Sequence, residues 1–206
     1  MNPRARSRSN SRVRGIWSKI RIITRFGESC GKAHDPDQFR THIKYLWQNV
    51  ISTHCDYFYR VLKNVCARDV QLTALLSNEK YTHGNENEQD YLLRQLGDRM
   101  FAFFETLVQE NVLEDLSQLK QSAFQMGKQH AAYSREAFKL SYWDMFSKAM
   151  VEELGESSTE NGASNYQIDP DTMKSWQHFL QVIIDNMMLG YENGRDSQIN
   201  NSFDTQ

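Results

Sequence analysis

The stretch AFQMGKQHAAY, residues 123–133, carries one histidine, His130, close to the end of a helical pattern. His130 continues an apolar face whose members recur at steps of three and four: Leu113, Leu116, Leu119, Ala123 and Met126. A histidine on such a face either packs in the core with its nitrogens hydrogen-bonded, or ligates a metal or haem iron as a neutral imidazole. Periodicity alone does not decide between these two interpretations.

Length and composition predict a single helical core. A chain of 206 residues is long enough for one sizeable core and short for two. With only 3 Pro and 10 Gly, the sequence favours long uninterrupted helices over turn-rich β structure. Because no strand pattern stands out, we expect an all-α domain of about six or seven helices.

The helix boundaries are predicted from capping residues, prolines and glycines. Two Asp-Pro pairs each join a capping residue to a proline suited to the first helical position. These pairs are Asp35-Pro36 and Asp169-Pro170. Ser134 is predicted to cap a helix that ends at Gly155, and the last helix is predicted to end at Gly194. Residues 67–79 are compatible with a tight turn or a short helix.

Charge is unevenly distributed along the chain. Residues 1–33 contain nine Lys and Arg against one acid, whereas residues 150–206 contain ten acids against two bases. We therefore predict a basic N-terminal extension over 1–34, a helical domain over 35–194 and a polar C-terminal tail over 195–206. The basic extension either suits an anionic membrane surface or a protein partner, or is a solvated arm without a specific role.

The cysteines and the hydropathy pattern indicate the compartment. Cys30, Cys55 and Cys66 are odd in number and lack CxxC spacing, which argues against a disulfide framework or a zinc site. No apolar run approaches the length of a membrane-spanning helix. We expect a cytoplasmic protein, with membrane association through the basic extension, or a mitochondrial location, as alternatives.

Three stretches resemble the globin family, in particular its divergent invertebrate and nematode members. Residues 119–154, LKQSAFQMGKQHAAYSREAFKLSYWDMFSKAMVEEL, are similar to the globin F helix with its haem-binding histidine, followed by the G helix. SWQHFLQVIIDNMMLGY, residues 175–191, resembles the terminal H helix, and FRTHIKYLWQNV, residues 39–50, resembles the A helix. The resemblance implies a globin fold that binds haem b, with His130 as the proximal iron ligand.

The resemblance also assigns residues to the opposite, distal side of the haem. Leu96, in QLGDRM, matches the position where the family usually has histidine or glutamine, Gly97 then allows close helix contact, and Met100 lies one turn along. Leu75 matches a position where the family has a phenylalanine packed on the haem. Leucine cannot donate a hydrogen bond to bound oxygen.

Polar residues near the distal position leave alternatives open. Gln95 restores a polar distal group if the register shifts by one residue, and Arg99, one turn on, could reach over the pocket or to the haem propionates. His83 lies in a polar loop and is either solvent-facing or a sixth iron ligand. The long interval between Leu96 and His130 indicates an insertion near ENVLED, residues 110–115.

We therefore expect a haem-binding globin that binds a diatomic gas (oxygen, carbon monoxide or nitric oxide) for signalling, sensing or redox purposes rather than bulk oxygen storage. The alternative is a haem-free globin-fold interaction or sensor module that docks through its basic extension. Leucines at positions 75 and 96 favour this alternative. No nucleophile elbow, phosphate-binding glycine loop or HExxH motif occurs. A third, enzymatic interpretation, such as nitric oxide dioxygenation or peroxidase chemistry, stays open but lacks dedicated residues, and we do not expect nucleic acid to be the partner.

Overall fold

The computed structural model describes residues 35–76, 86–133, 138–160 and 168–203. Within these ranges the chain forms eight α-helices, with a π-helical segment at Trp47–Ile51 and no strand, which confirms the predicted all-α class. The helices are α1 (Pro36–Leu46), α2 (Tyr57–Arg68), α3 (Val70–Leu76), α4 (Glu86–Leu107), α5 (Glu110–Glu114), α6 (Leu116–His130), α7 (Ser141–Glu160) and α8 (Pro170–Phe203). The basic extension, His34 and His83 lie outside the described residues.

Aspartate side chains cap the N-termini of several of these helices. Both predicted Asp-Pro starts are confirmed, because α1 begins at Pro36 and α8 at Pro170. Oδ1 of Asp169 accepts hydrogen bonds from the main-chain N–H groups of residues 171 and 172, at 3.0 and 2.9 Å. Asp69 caps α3 in the same way, through residues 71 and 72 at 2.8 and 3.1 Å. The ambiguous segment 67–79 therefore contains a short helix.

Three predicted boundaries are wrong. The helix predicted from Ser134 begins instead at Ser141, and Ser134 itself lies outside the described residues. Gly155 lies inside α7 and Gly194 inside α8, which continues to Phe203. A glycine ends a helix by adopting a positive φ, and neither glycine does so here.

The core is formed mainly by α1, α2, α7 and α8. α1 packs against α8, and α2 packs against both α4 and α7. The largest fully buried side chains in the described residues are aromatic: Trp176, Tyr57, Tyr142, Phe58 and Phe179. Within the described residues, no helix has the length and apolar character required to cross a membrane.

α6 and α8 pack with their backbones in direct contact. A Cβ added at Gly127 of α6 would lie 1.9 Å from the carbonyl oxygen of Met187, and one added at Gly190 of α8 would lie 1.9 Å from that of Phe124. Only glycine allows such an approach. The position of α6 is therefore fixed by α8.

α4 and α6 have different packing partners. α4 packs against α2, whereas α6 packs against α8, and α4 and α6 are not among the extensively packed pairs of the described elements. α4 and α6, the two helices predicted to enclose a pocket, are therefore positioned by different helices: α4 by α2, and α6 by α8. α5, with Val112 and Leu113 buried, occupies the predicted insertion between them.

Candidate functional site

His130 is the last residue of α6, and its imidazole is anchored on one side. Nδ1 lies 2.8 Å from the main-chain carbonyl oxygen of Met126, one turn earlier. A carbonyl can only accept, so Nδ1 carries the proton and donates it, and the lone pair of the neutral ring lies on Nε2. Nε2 has no hydrogen-bond partner among the residues that the structure describes.

Aromatic rings surround the imidazole. The ring centroid of His130 lies 5.4 Å from that of Phe138, 5.9 Å from that of Trp143 and 5.9 Å from that of Tyr133. Burial among these groups lowers the pKa of His130 below its usual 6.5, because the charged form is desolvated. The ring is therefore neutral at neutral pH, which is the form that can ligate a metal.

The hydrogen bond to the preceding turn does not by itself distinguish His130. Nδ1 of His54 lies 2.7 Å from the carbonyl oxygen of Val50 in the same arrangement. His42 is paired with Ser175, its Nδ1 lying 2.9 Å from the hydroxyl oxygen. The distinguishing features of His130 are the aromatic surroundings and the lowered pKa, together with its place at the end of a predicted pocket wall.

Leu96 and Met100 lie together on the α4 side. Both are partly buried and pack against a small apolar cluster formed by Leu62, Cys66 and Leu93. Burial raises the pKa of the Cys66 thiol, so this cluster contains no charged group at neutral pH. The α4 side is thus apolar where the sequence places the distal position.

The family resemblance assigns a third apolar residue, Leu75, to contact with haem, beside Leu96 and Met100. Leu75 lies near the end of α3. It is partly buried and packs against the main core. Partly exposed apolar side chains are suited to being covered by an apolar ligand. Contact of Leu75, Leu96 and Met100 with a haem stays a prediction.

Gly97 makes the close helix contact that the sequence predicts. A Cβ added there would lie 3.0 Å from the main-chain nitrogen of Tyr59 and 3.3 Å from its Cα. α4 therefore crosses α2 at close range directly beside Leu96. This contact fixes the position of Leu96 relative to α2.

The two polar residues near Leu96 differ in their surroundings. Nε2 of Gln95 donates a hydrogen bond to the Tyr91 hydroxyl at 2.7 Å, an exposed contact along the surface of α4. The side chain of Arg99 is exposed and forms no hydrogen bond or ion pair with any described residue. Among the described residues, its guanidinium is thus uncommitted one turn from the distal position, whereas Gln95 is already engaged.

Sequence reasoning missed the aromatic residues beside His130. Phe138 falls within the helix predicted from Ser134 to Gly155, but in the structure it precedes α7, and Trp143 lies in the first turn of α7. Tyr191 of α8 joins both, with ring centroids 5.5 Å from Phe138 and 5.7 Å from Trp143. The sequence feature that could have indicated these residues is the group of aromatic residues soon after His130. Only the fold shows that the segment before α7, α7 and α8 pack together near this histidine.

A comparison with protein families identifies the architecture. The family model for globins matches residues 60–187, more than half of the chain, and the match includes Leu96 and His130. A search of curated proteins found no significant match. The chain therefore belongs to the globin family, whose members generally bind haem and diatomic gases.

Proposed function

We propose that this globin binds haem b through His130 as the proximal iron ligand and binds a diatomic gas for sensing, signalling or redox purposes rather than for bulk oxygen storage. The observation on which the proposal depends is the hydrogen bonding and the neutral charge of the His130 imidazole. Nδ1 is anchored 2.8 Å from the Met126 carbonyl oxygen, and Nε2 of the neutral ring has no partner among described residues.

The donor set fits iron held in a porphyrin. Within the described ranges, no three His, Cys, Asp or Glu side chains cluster to hold a metal ion. A single imidazole in apolar surroundings suits a metal whose other ligands come from a macrocycle. The hydrogen bond that Nδ1 donates also orients the ring and increases the basicity of Nε2.

The surroundings fit the shape and polarity of haem. Haem is mainly an apolar disc with two carboxylates at one edge, so burial between apolar walls stabilises it. Met100 and Leu96 supply such a wall on α4, and Phe138 and Trp143 supply apolar surface around His130. The exposed guanidinium of Arg99 is suited to bind a propionate carboxylate.

The distal side supports a role other than oxygen storage. When bound, haem supplies an iron atom that binds diatomic ligands and changes oxidation state. Leu96 offers no hydrogen bond to bound oxygen, and the neighbouring Gln95 amide is engaged with Tyr91. Bound oxygen would thus lack the donor that retains it, whereas carbon monoxide and nitric oxide depend less on such a donor.

The test is the absorption spectrum of full-length protein produced with ample haem. We expect a Soret band in the ferric and ferrous forms and a shifted Soret band when carbon monoxide is added. Protein that folds but stays colourless after haem titration would contradict the proposal.

A colourless, folded protein is the result expected for the second candidate function, a haem-free interaction or sensor module. The leucines at positions 75 and 96, where the family usually has residues that contact haem, favour it. In this case residues 1–34 dock the domain to an anionic membrane or a protein partner in the cytoplasm. Binding to anionic vesicles that is lost when residues 1–34 are removed supports this candidate.

A further inference from the structure

The C-terminal part of α8 contacts the backbone that follows His130. Nη1 of Arg195 donates hydrogen bonds to the carbonyl oxygens of Ala131, at 3.3 Å, and Tyr133, at 3.2 Å. Nε2 of Gln198 donates to the same Ala131 oxygen at 3.2 Å. Each bond is at the long end of the usual range. Together they attach the segment directly after α6 to α8.

Two of these contacts satisfy the carbonyl of Ala131, the residue that caps the end of α6, and the third holds Tyr133 two residues further on. The last carbonyls of an α-helix have no intrahelical donor, and a positive charge is favourable at that end. The guanidinium of Arg195 supplies both a donor and a charge at the end of α6. Gly194, the preceding residue, allows the approach, because a Cβ there would lie 2.7 Å from that of Ala131.

Arg195 also contacts Tyr191, an aromatic ring that lies behind the rings flanking the imidazole. Its guanidinium carbon lies 5.6 Å from the centre of the Tyr191 ring. Tyr191 in turn contacts Phe138 and Trp143, the two rings that flank His130. Arg195 thus binds the backbone after His130 and contacts Tyr191, a ring that packs on two of the rings flanking the imidazole.

We propose that Arg195, together with Gln198, is a positioning residue for the His130 imidazole. It holds the end of α6 and thereby sets the direction and the freedom of Nε2 towards the iron. This inference rests on the proposed haem binding. If haem is bound, the bond between Nε2 and the iron would transmit the position of the imidazole to the metal, so loosening the end of α6 would alter that bond.

The test compares Arg195→Met with Arg68→Met in the full chain. Methionine keeps an unbranched stem and removes the donors and the charge. Arg68 is a matched control, because it forms an exposed ion pair with Glu152, at 2.5 Å, between α2 and α7. Gln198→Met removes one of the converging donors and is a milder second variant if Arg195→Met folds poorly.

The first readout is the iron–histidine stretching band in the resonance Raman spectrum of the ferrous protein without a gas ligand. We expect Arg195→Met to shift or broaden this band, Gln198→Met to do so less, and Arg68→Met to leave it unchanged. An unchanged band in folded, haem-loaded Arg195→Met would overturn the inference, even if the protein is less stable.

The second readout needs no haem. In the haem-free protein we expect Arg195→Met to increase hydrogen exchange about tenfold at the His130 Nδ1 proton and at the amides of residues 131–133, with no change in Arg68→Met. Unaltered exchange would overturn the inference. An unmodified protein that shows no iron–histidine band refutes the proposed function instead, and the exchange rates then still decide whether Arg195 positions the imidazole.

Discussion

Nδ1 of His130 and the carbonyl oxygen of Met126 lie 2.8 Å apart, one helical turn from each other on α6. This contact assigns the two ring nitrogens different roles, because one is occupied by the backbone and the other has no described partner. The backbone bond also restricts rotation of the ring, which reduces the entropy that ligation of a metal would cost. On the α6 side, the candidate site therefore offers Nε2 of His130 as a ligand atom, oriented by the hydrogen bond that Nδ1 makes.

Replacing Leu96 with glutamine should slow the release of oxygen. A glutamine amide at the distal position can donate a hydrogen bond to bound oxygen, and such a bond contributes about 1 kcal/mol or somewhat more, equivalent to roughly a tenfold slower dissociation. Carbon monoxide release should change less. Flash photolysis and stopped-flow mixing measure both rates.

Ala102→Gln is the matched control for Leu96→Gln, because Ala102 is an exposed residue on the same helix, α4. We expect its oxygen dissociation rate to equal that of the unmodified protein. If Leu96→Gln also leaves the rate unchanged, Leu96 does not face the iron and the distal register is wrong.

Alanine at Gly127 should destabilise the fold, whereas alanine at Gly155 should stabilise it. A Cβ at Gly127 would lie 1.9 Å from the Met187 carbonyl oxygen, whereas a Cβ at Gly155 meets nothing within 4 Å. We expect a loss of about 2 kcal/mol or more for Gly127→Ala, from forced separation of α6 and α8. Gly155→Ala should gain about 0.5–1 kcal/mol, since alanine is the better helix former. Urea unfolding measures both, and effects of the same sign would refute the described packing.

Acid should destabilise the haem-free protein partly through His130. Burial holds the pKa of the folded imidazole below 6.5, its usual value, which applies to the unfolded chain. As the pH falls through 6.5, the unfolded chain takes up a proton that the folded chain does not, so the free energy of unfolding decreases. This decrease continues until the pH reaches the lower, folded pKa.

The measurement is urea unfolding of the haem-free protein and of His130→Gln between pH 7.5 and pH 5. Glutamine does not titrate, so its stability should decline less steeply, and the carboxylates affect both proteins equally. Parallel pH dependences would show that the imidazole is not desolvated in the folded state.

The sequence predicted the helix starts better than the helix ends. An aspartate before a proline acts through local hydrogen bonds and a fixed φ, so the beginnings of α1 and α8 were correctly placed. A glycine has several uses, and only the tertiary structure shows which one applies. Gly194 does not end a helix but allows α8 to approach Ala131, so the helix continues towards the candidate site.

The close helix contact at Gly97 was predictable from the family resemblance, and the structure confirms it. The role of His130 as iron ligand stays a prediction, and the residues around its imidazole were not predicted. The rings around the imidazole come from the segment after α6, from the segment before α7 and from α7, and Tyr191 of α8 packs on two of them. Their convergence depends on how distant elements pack, and no local pattern encodes that.

The most direct test of the account is the absorption spectrum of His130→Gly with and without added imidazole. We predict that the variant folds but loses the ferrous and carbon monoxide spectra of a histidine-ligated haem, and that free imidazole, entering the space left by the side chain, restores them. His54→Gly, which removes the histidine with the same backbone contact, should keep the normal spectra. Unaltered spectra in His130→Gly would show that the iron is ligated elsewhere and would contradict the central claim.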